Sequence, residues 1–107
     1  MDAFYALADQ HRRKIVEILA GRGRLTATQI CNYFKLTPQA ISQHLKVLLE
    51  SKVLRMEKDA QRRIYQINPD SMMDLEEWAR NTRQAWNNRF DALDNVLEEE
   101  KKKNANR

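Results

Sequence analysis

One predicted helix near the middle of the chain decides the fold, and its sequence over residues 36–48 is LTPQAISQHLKVL. Thr37 can cap the helix N-terminus with its hydroxyl, and Pro38 suits the first helical position, where no N–H is needed. At about 100° per residue, the apolar side chains share one face: Ile41, Leu45, Leu48 and Leu49. These features predict a helix from Pro38 to about Ser51 with one buried face.

The opposite face of this helix carries hydrogen-bonding side chains and no acid before Glu50. Glutamine can pair with an adenine edge through two hydrogen bonds, and serine can donate or accept at either base type. Thr37, Lys46 and the helix N-terminus can each contact a phosphate. The pattern favours a major-groove helix over an ordinary polar surface. Its expected DNA contacts are Thr37, Gln39, Ala40, Ser42, Gln43, His44 and Lys46.

Two helices are predicted before this one. Asp9 can cap the longer of them, which Gly21 and Gly23 would end. The shorter begins at Thr26, since Thr26 and Gln29 match the T-x-x-Q capping box. A tight connection then leads into the central helix, and this order is typical of a helix-turn-helix.

A β-hairpin is predicted after the central helix. Val53–Glu57 and Arg62–Ile67 have the composition of short strands around a polar tip at residues 58–61. Its cations could contact the DNA backbone or minor groove, although charge also protects a solvated edge hairpin. The expected contacts are Lys58, Arg62 and Arg63. The predicted fold class is therefore mainly α with one β-hairpin, a winged helix-turn-helix.

The basic residues are concentrated in the middle of the chain, although its net charge is only +4. Residues 10–63 hold 12 Lys+Arg and 4 Asp+Glu, a balance of +8, whereas residues 1–9 and 64–107 each carry −2. This partition indicates a middle part that faces a polyanion, with another task for the ends.

The composition predicts one cytoplasmic domain that is not an enzyme. A chain of 107 residues fits a single domain, and its one cysteine excludes a disulfide framework within the chain. No apolar run approaches the roughly 18 residues of a membrane span, and no secretory signal is visible. No glycine-rich phosphate loop or nucleophile–base pair occurs.

A long helix with an apolar stripe is predicted from residue 70 to about residue 103. A series with alternating steps of four and three, close to a heptad, has Thr82 and Arg89 as polar interruptions and is broadened by Phe90 and Leu97. Its members are Leu75, Ala79, Thr82, Trp86, Arg89, Leu93 and Val96. We expect the stripe to meet a second copy, together with a short helix at residues 2–8; packing within its own domain is the alternative. Residues 10–68 would then form the DNA-binding body. The expected dimer interface comprises Phe4, Tyr5, Leu7, Leu75, Ala79, Thr82, Trp86, Phe90, Leu93 and Leu97.

Taken together, three stretches resemble the ArsR/SmtB type of bacterial and archaeal winged-helix repressor. They run from Ala6 to Ile15, from Leu36 to Leu48 and from Arg62 to Pro69. Residues 86–93 resemble a metal-free branch whose last helix is extended. The resemblance implies a homodimer in which the first and last helices pair, and in which two recognition helices read a palindromic operator. Such a protein would be associated with the nucleoid.

The chain departs from the metal-sensing members of this family. The family's thiolate site lies in the helix before the turn, where residues 24–30 are RLTATQI and threonine replaces both cysteines. The other family site uses Asp and His on the last helix, where Asp70 and Asp74 occur without a following histidine. Carboxylates alone suit hard cations. We therefore expect no metal or other cofactor, and interpret His44 as a packing or phosphate-contacting residue.

The sequence thus predicts a metal-independent, sequence-specific regulator that binds double-stranded DNA as a repressor and could control its own operon. The alternative is a winged-helix adaptor that docks other proteins through the long helix. The basic middle part and the Gln/Ser helix face favour the regulator, because an adaptor needs neither. No local motif identifies a small-molecule effector.

Overall fold

The computed structural model describes residues 2–105, with side chains for residues 2–101. Its elements are α1 (Ala3–Leu7), α2 (Gln10–Arg22), β1 (Leu25–Thr26), α3 (Ala27–Cys31), α4 (Pro38–Glu50), β2 (Leu54–Asp59), β3 (Arg62–Ile67) and α5 (Pro69–Ala105). The predicted winged helix-turn-helix is confirmed, with α3 and α4 as the helix pair and β2–β3 as the wing. Two compact units divide between Met73 and Asp74.

Helix α4 forms as its sequence predicts. The backbone N–H of Ala40 donates to the Thr37 hydroxyl at 3.1 Å, so Thr37 is the N-cap, and Pro38 occupies the first turn. The apolar face is buried at Ile41, Leu45 and Leu48. The helix ends at Glu50, one residue before the predicted end.

Helix α2 ends later than the end that was predicted from its two glycines. Asp9 caps it by accepting the Arg12 N–H at 3.0 Å, but the helix continues through Gly21 to Arg22. The expectation that Gly21 ends the helix is therefore wrong, since glycine inside a helix is only a modest penalty of about 1 kcal/mol. Gly23 does end it, with φ of 88° and its N–H donated to the Leu19 carbonyl at 2.7 Å.

The predicted capping box at the start of α3 is present. The Gln29 side chain accepts the Thr26 N–H at 2.9 Å, and Thr26 Oγ1 accepts the Gln29 N–H at 3.2 Å. Two backbone donors at this helix end are thus satisfied locally.

The sheet has one strand more than the predicted hairpin. Its order is β1-β3-β2, antiparallel throughout, with Leu25 opposite Tyr65. Strand β1 has only two residues. A strand this short shows no alternating pattern from which the sequence could predict it. The hairpin tip is also tighter than predicted, because β2 runs from Leu54 to Asp59 and leaves two residues, Ala60 and Gln61, in the turn. Ala60 has φ of 56°, as tight hairpin turns require.

A single buried cluster joins the elements of the first unit. Helices α1, α2, α3 and α4 and both wing strands contribute to it, and each of its side chains is at least 96% buried. Tyr65 of β3 points into this cluster and is 4% exposed. The cluster comprises Ala6, Ile15, Leu19, Ile30, Ile41, Leu45, Leu48, Val53, Leu54 and Tyr65.

The second unit consists of the greater part of α5, which begins one residue before its predicted start and continues past the predicted end to Ala105. Several large apolar side chains on it are exposed, namely Trp78, Trp86, Phe90, Leu93, Val96 and Leu97. The Trp86 and Phe90 rings meet edge to face, with centroids 4.6 Å apart. No helix in the described part of the chain is long and apolar enough to cross a membrane.

Candidate nucleic-acid interface

The predicted reading face of α4 is exposed to solvent. Burial of Ile41, Leu45 and Leu48 fixes the rotation of the helix, and the polar face must then point outward. Ala40 also lies on this face, where it is half-buried and presents only a methyl group. The exposed residues are Thr37, Gln39, Ser42, Gln43 and Lys46. Thr37 keeps its hydroxyl hydrogen available as a donor while its oxygen caps the helix.

His44 lies on a different side of α4, against the start of α2. Its side chain is 18% exposed, and its Nδ1 lies 3.9 Å from Asp9 Oδ1. An Arg12 guanidinium nitrogen lies 3.4 Å from the same Nδ1. Burial lowers the pKa of His44 below its ordinary value, and the charge of Arg12 adds to this although Asp9 opposes it. The imidazole is therefore neutral near pH 7.

Asp9 is ionised at the centre of these contacts. Burial acts to raise the pKa of Asp9, but the Arg12 N–H that it accepts and the charges of His44 and Arg12 bring this pKa below its ordinary value. His44 contributes its charge only at the acidic pH where Asp9 titrates, because the imidazole is protonated there. His11 completes the group, with its Nδ1 also 3.9 Å from Asp9 Oδ1 and its ring centroid 5.6 Å from that of His44. The sequence predicted a role for His44 but not its proximity to His11, which arises only when α2 packs on α4.

The wing places two cations directly opposite each other. Lys58 in β2 pairs in register with Arg63 in β3, so their side chains emerge on the same face, and both are exposed. Like charges at such a position destabilise a hairpin. A phosphate between them would remove the repulsion. Arg62 differs, because one of its nitrogens contacts Asp59 Oδ2 at 3.1 Å and its charge is partly balanced.

The fold brings the wing and the reading helix to one cleft. An open cleft of about 410 Å³ lies between α3, α4 and β3, and both Ser42 and Arg63 line it. A second cleft, of about 380 Å³, lies between the start of α3 and the wing tip and adds Thr28 and Gln29 to Arg62 and Arg63. Thr28 and Gln29 were not among the predicted contacts, because the sequence shows them only as residues of a helix start.

A further basic groove lies beside α2. It has a volume of about 620 Å³ and is lined by three cations, Arg13, Lys14 and Lys35, against one acid, Glu17. His11 and Tyr33 also line it. The charge partition of residues 10–63 indicated such a surface, but it could not show which cations share a groove.

The positions of the family's metal sites do not fit a soft metal here. Thr26 Oγ1 already accepts the Gln29 N–H as a helix cap. Asp70 Oδ2 lies 3.3 Å from an Arg55 guanidinium nitrogen, so its charge has a partner. A hydroxyl in a capping box and an ion-paired carboxylate are not ligands for thiophilic ions.

An exposed polar helix beside a cationic hairpin defines a class of protein, the winged helix-turn-helix regulator that binds double-stranded DNA. Residues 9–54 match the family described as bacterial regulatory proteins, arsR family. The transcriptional repressor SdpR of Bacillus subtilis is 32% identical over 80 residues, which are 75% of this chain and 88% of that protein. The chain therefore belongs to the ArsR family and is a DNA-binding transcriptional regulator.

Two further likenesses agree with this assignment. The arsenical resistance operon repressor of Bacillus subtilis is 32% identical over 72 residues, covering 67% of this chain and 69% of that protein. The crystal structure of an ArsR family transcriptional regulator matches with a TM-score of 0.71 at 26% identity, over 78% of this chain and 84% of that one. The curated relatives are repressors or regulators by name.

Proposed function

We propose that the protein is a homodimeric repressor of a palindromic operator, with α4 in the major groove and the wing on the adjacent backbone. The observation that carries this proposal is the exposed Gln/Ser face of α4 beside the opposed cations Lys58 and Arg63. Residues 10–68 form the DNA-binding body, while residues 2–8 and 70–103 serve dimerisation.

Within this interface, the side chains divide by the part of the DNA that they contact. Gln39, Ser42 and Gln43 read base edges, and Ala40 allows a close approach or meets a thymine methyl group. The remaining contacts are to phosphates, which set orientation and affinity rather than sequence preference. They come from Thr37, Lys46, Lys58, Arg62 and Arg63. His44 packs against Asp9 and acts by holding α4 in place.

Dimerisation supports this function, because a palindrome presents two identical half-sites about one helical turn apart. The exposed apolar side chains of α5 supply the main contact, as a heptad-like stripe does in a coiled coil. Phe4, Tyr5 and Leu7 on α1 extend it. The proposed contact residues on α5 are Leu75, which is half-buried, Ala79, Trp86, Phe90, Leu93 and Leu97, with Thr82 as a polar interruption.

The decisive experiment selects bound fragments from genomic DNA of the source organism and titrates the best fragment by fluorescence anisotropy. Binding should be tighter than to a random duplex and should weaken steeply with salt, because bound phosphates release counterions. Equal affinity for both duplexes would overturn the claim of sequence specificity. Native mass spectrometry with a duplex of about 30 base pairs, three turns of B-DNA, should show two chains per duplex. A dimer that ignores DNA would support the adaptor instead.

Two substitutions distinguish residues that recognise bases from residues that contact phosphates. Gln43→Ala should change the base preference at one position of each half-site, by about 1–3 kcal/mol of discrimination. Arg63→Ala should weaken all duplexes alike and reduce the salt dependence. Arg80→Ala, an exposed cation on α5, is the matched control and should change neither. Uniform weakening by both Gln43→Ala and Arg63→Ala would show that α4 does not read bases.

A further inference from the structure

Three side chains that can bind a metal ion converge where the start of α2 meets α4. Each of the atoms His11 Nδ1 and His44 Nδ1 lies 3.9 Å from Asp9 Oδ1. One ligand atom of each side chain lies within 4.8 Å of a ligand atom of the other two. The chain has two histidines in all, and the fold brings both to the same carboxylate.

The donor set indicates which ion would bind. Two imidazoles and one carboxylate are the ligands that borderline divalent ions such as zinc prefer, at bond lengths of about 2.0–2.2 Å. Calcium and magnesium take oxygen ligands and are disfavoured here. Three protein ligands leave a fourth position for water, as in open tetrahedral sites.

The side chains have room to close on an ion. The His11 side chain is 51% exposed and can rotate towards Asp9, whereas His44, at 18% exposed, is held in place by packing. The His44 ring and the Asp9 carboxylate thus form a fixed pair, and His11 is the adjustable ligand. The approach needed is on the order of half an ångström for each ligand atom, given zinc bonds of this length.

The existing contacts of Asp9 and His44 are compatible with an ion. Asp9 caps α2 through Oδ1, but a carboxylate has about four acceptor sites and can cap a helix and ligate together. At His44, Nδ1 has a contact of 3.4 Å with Arg12, longer than a strong hydrogen bond, and an ion would displace it. Arg12 would keep its 2.6 Å hydrogen bond to the Ala6 carbonyl. Because the positive charge of Arg12 repels a cation, the affinity of this site for a metal ion should be lower than that of a structural site with four protein ligands.

We propose that Asp9, His11 and His44 form a binding site for a divalent transition-metal ion of the zinc type, which links the start of α2 to the recognition helix. This site differs in position from the two family positions considered above, at residues 24–30 and on the last helix, because its ligands lie at the start of α2 and on α4. The sequence predicted no metal site and a packing or phosphate-contacting role for His44, because the sequence does not show that both histidines lie beside Asp9. The proposal does not depend on the operator or on dimerisation.

The test is metal titration of the full, untagged chain after removal of metals with a chelator. Isothermal titration with Zn²⁺ should show one ion per chain, and Co²⁺ should give visible absorption bands of a four-coordinate site. His11→Gln should weaken binding at least about tenfold, since it removes one of three ligands. Because His11 is exposed, this variant should keep the fold, which circular dichroism checks.

Controls separate this site from general binding to acidic groups. Asp74→Asn, on α5, removes an exposed carboxylate outside the site and should leave Zn²⁺ affinity unchanged. Zn²⁺ should raise the melting temperature of the wild type and of Asp74→Asn, but not of His11→Gln, since an ion that binds the folded state stabilises it. Equal Zn²⁺ affinity in the wild type and His11→Gln would overturn the proposal, as would metal uptake only with aggregation.

Discussion

The Nε of Arg12 donates a hydrogen bond of 2.6 Å to the carbonyl oxygen of Ala6, and this contact joins α2 to the end of α1. The last carbonyls of a helix have no partner within the helix, so five-residue α1 depends on outside donors. Arg12 also reaches the Tyr5 carbonyl at 3.3 Å, and Arg13 reaches that of Leu7 at 3.0 Å. Two arginines of α2 thus cap α1, where a positive charge also suits the helix dipole.

Replacing Arg12 with lysine should therefore destabilise the protein although the charge is kept. Lysine cannot reproduce the fork that serves Ala6, Tyr5 and the neighbouring His44 together. We expect the free energy of unfolding to fall by about 1–3 kcal/mol, measured by urea unfolding at fixed protein concentration. Arg22→Lys, at the exposed end of α2, is the control. A similar fall in both variants would contradict the role given to Arg12.

The buried face of α4 should contribute far more to stability than its exposed face. Leu45 is 1% exposed, so Leu45→Ala should lower the free energy of unfolding by about 2–5 kcal/mol through the cavity that it leaves. The adjacent Lys46→Ala should change stability by less than about 0.5 kcal/mol while weakening DNA binding. Chemical unfolding and anisotropy titration measure the two effects. Loss of stability in Lys46→Ala would show that α4 is rotated differently.

The two glycines at the end of α2 should respond in opposite directions to alanine. Gly21 lies inside the helix with open space around its Cβ position, so Gly21→Ala should stabilise the protein by about 0.5–1 kcal/mol. Gly23 has φ of 88°, which an alanine adopts only with strain, so Gly23→Ala should destabilise it by about 1 kcal/mol or more. Thermal unfolding checks both variants. Destabilisation by Gly21→Ala would place the helix end before residue 21.

The apolar stripe of α5 should control self-association of the chain in the proposed dimer. Phe90 is 47% exposed, and Phe90→Glu would place a charge in the proposed contact without reducing helix propensity. Sedimentation velocity should show a shift from dimer towards monomer. Asn88→Glu introduces the same charge on another face of α5, and it should leave the dimer intact. If the Phe90→Glu variant remains a dimer, the stripe is not part of the dimer interface.

Local chemistry is the part of this fold that the sequence predicts well. The Thr37–Pro38 start of α4, the Thr26/Gln29 capping box and the left-handed Gly23 each depend on residues within four positions of one another. The helix-turn-helix and the wing follow from their order. The end of α2 was misplaced at Gly21, because glycine permits a helix end without requiring one.

Contacts between distant residues could not be read from these patterns. Strand β1 is a strand only because β3 lies beside it, and the cleft shared by Ser42 and Arg63 exists only once the wing folds back on α4. Arg12 and His44 are 32 positions apart in the chain, yet they lie together in the first unit.

The sequence by itself therefore determined the order of the elements, their caps and the polar face of α4, because backbone hydrogen bonds and helical periodicity act over a few residues. Only the tertiary structure decided which side chains meet. Burial of the core around Leu45 and Leu48 fixes how α4 lies on α2, and that packing turns His44 away from the reading face and towards Asp9 and His11.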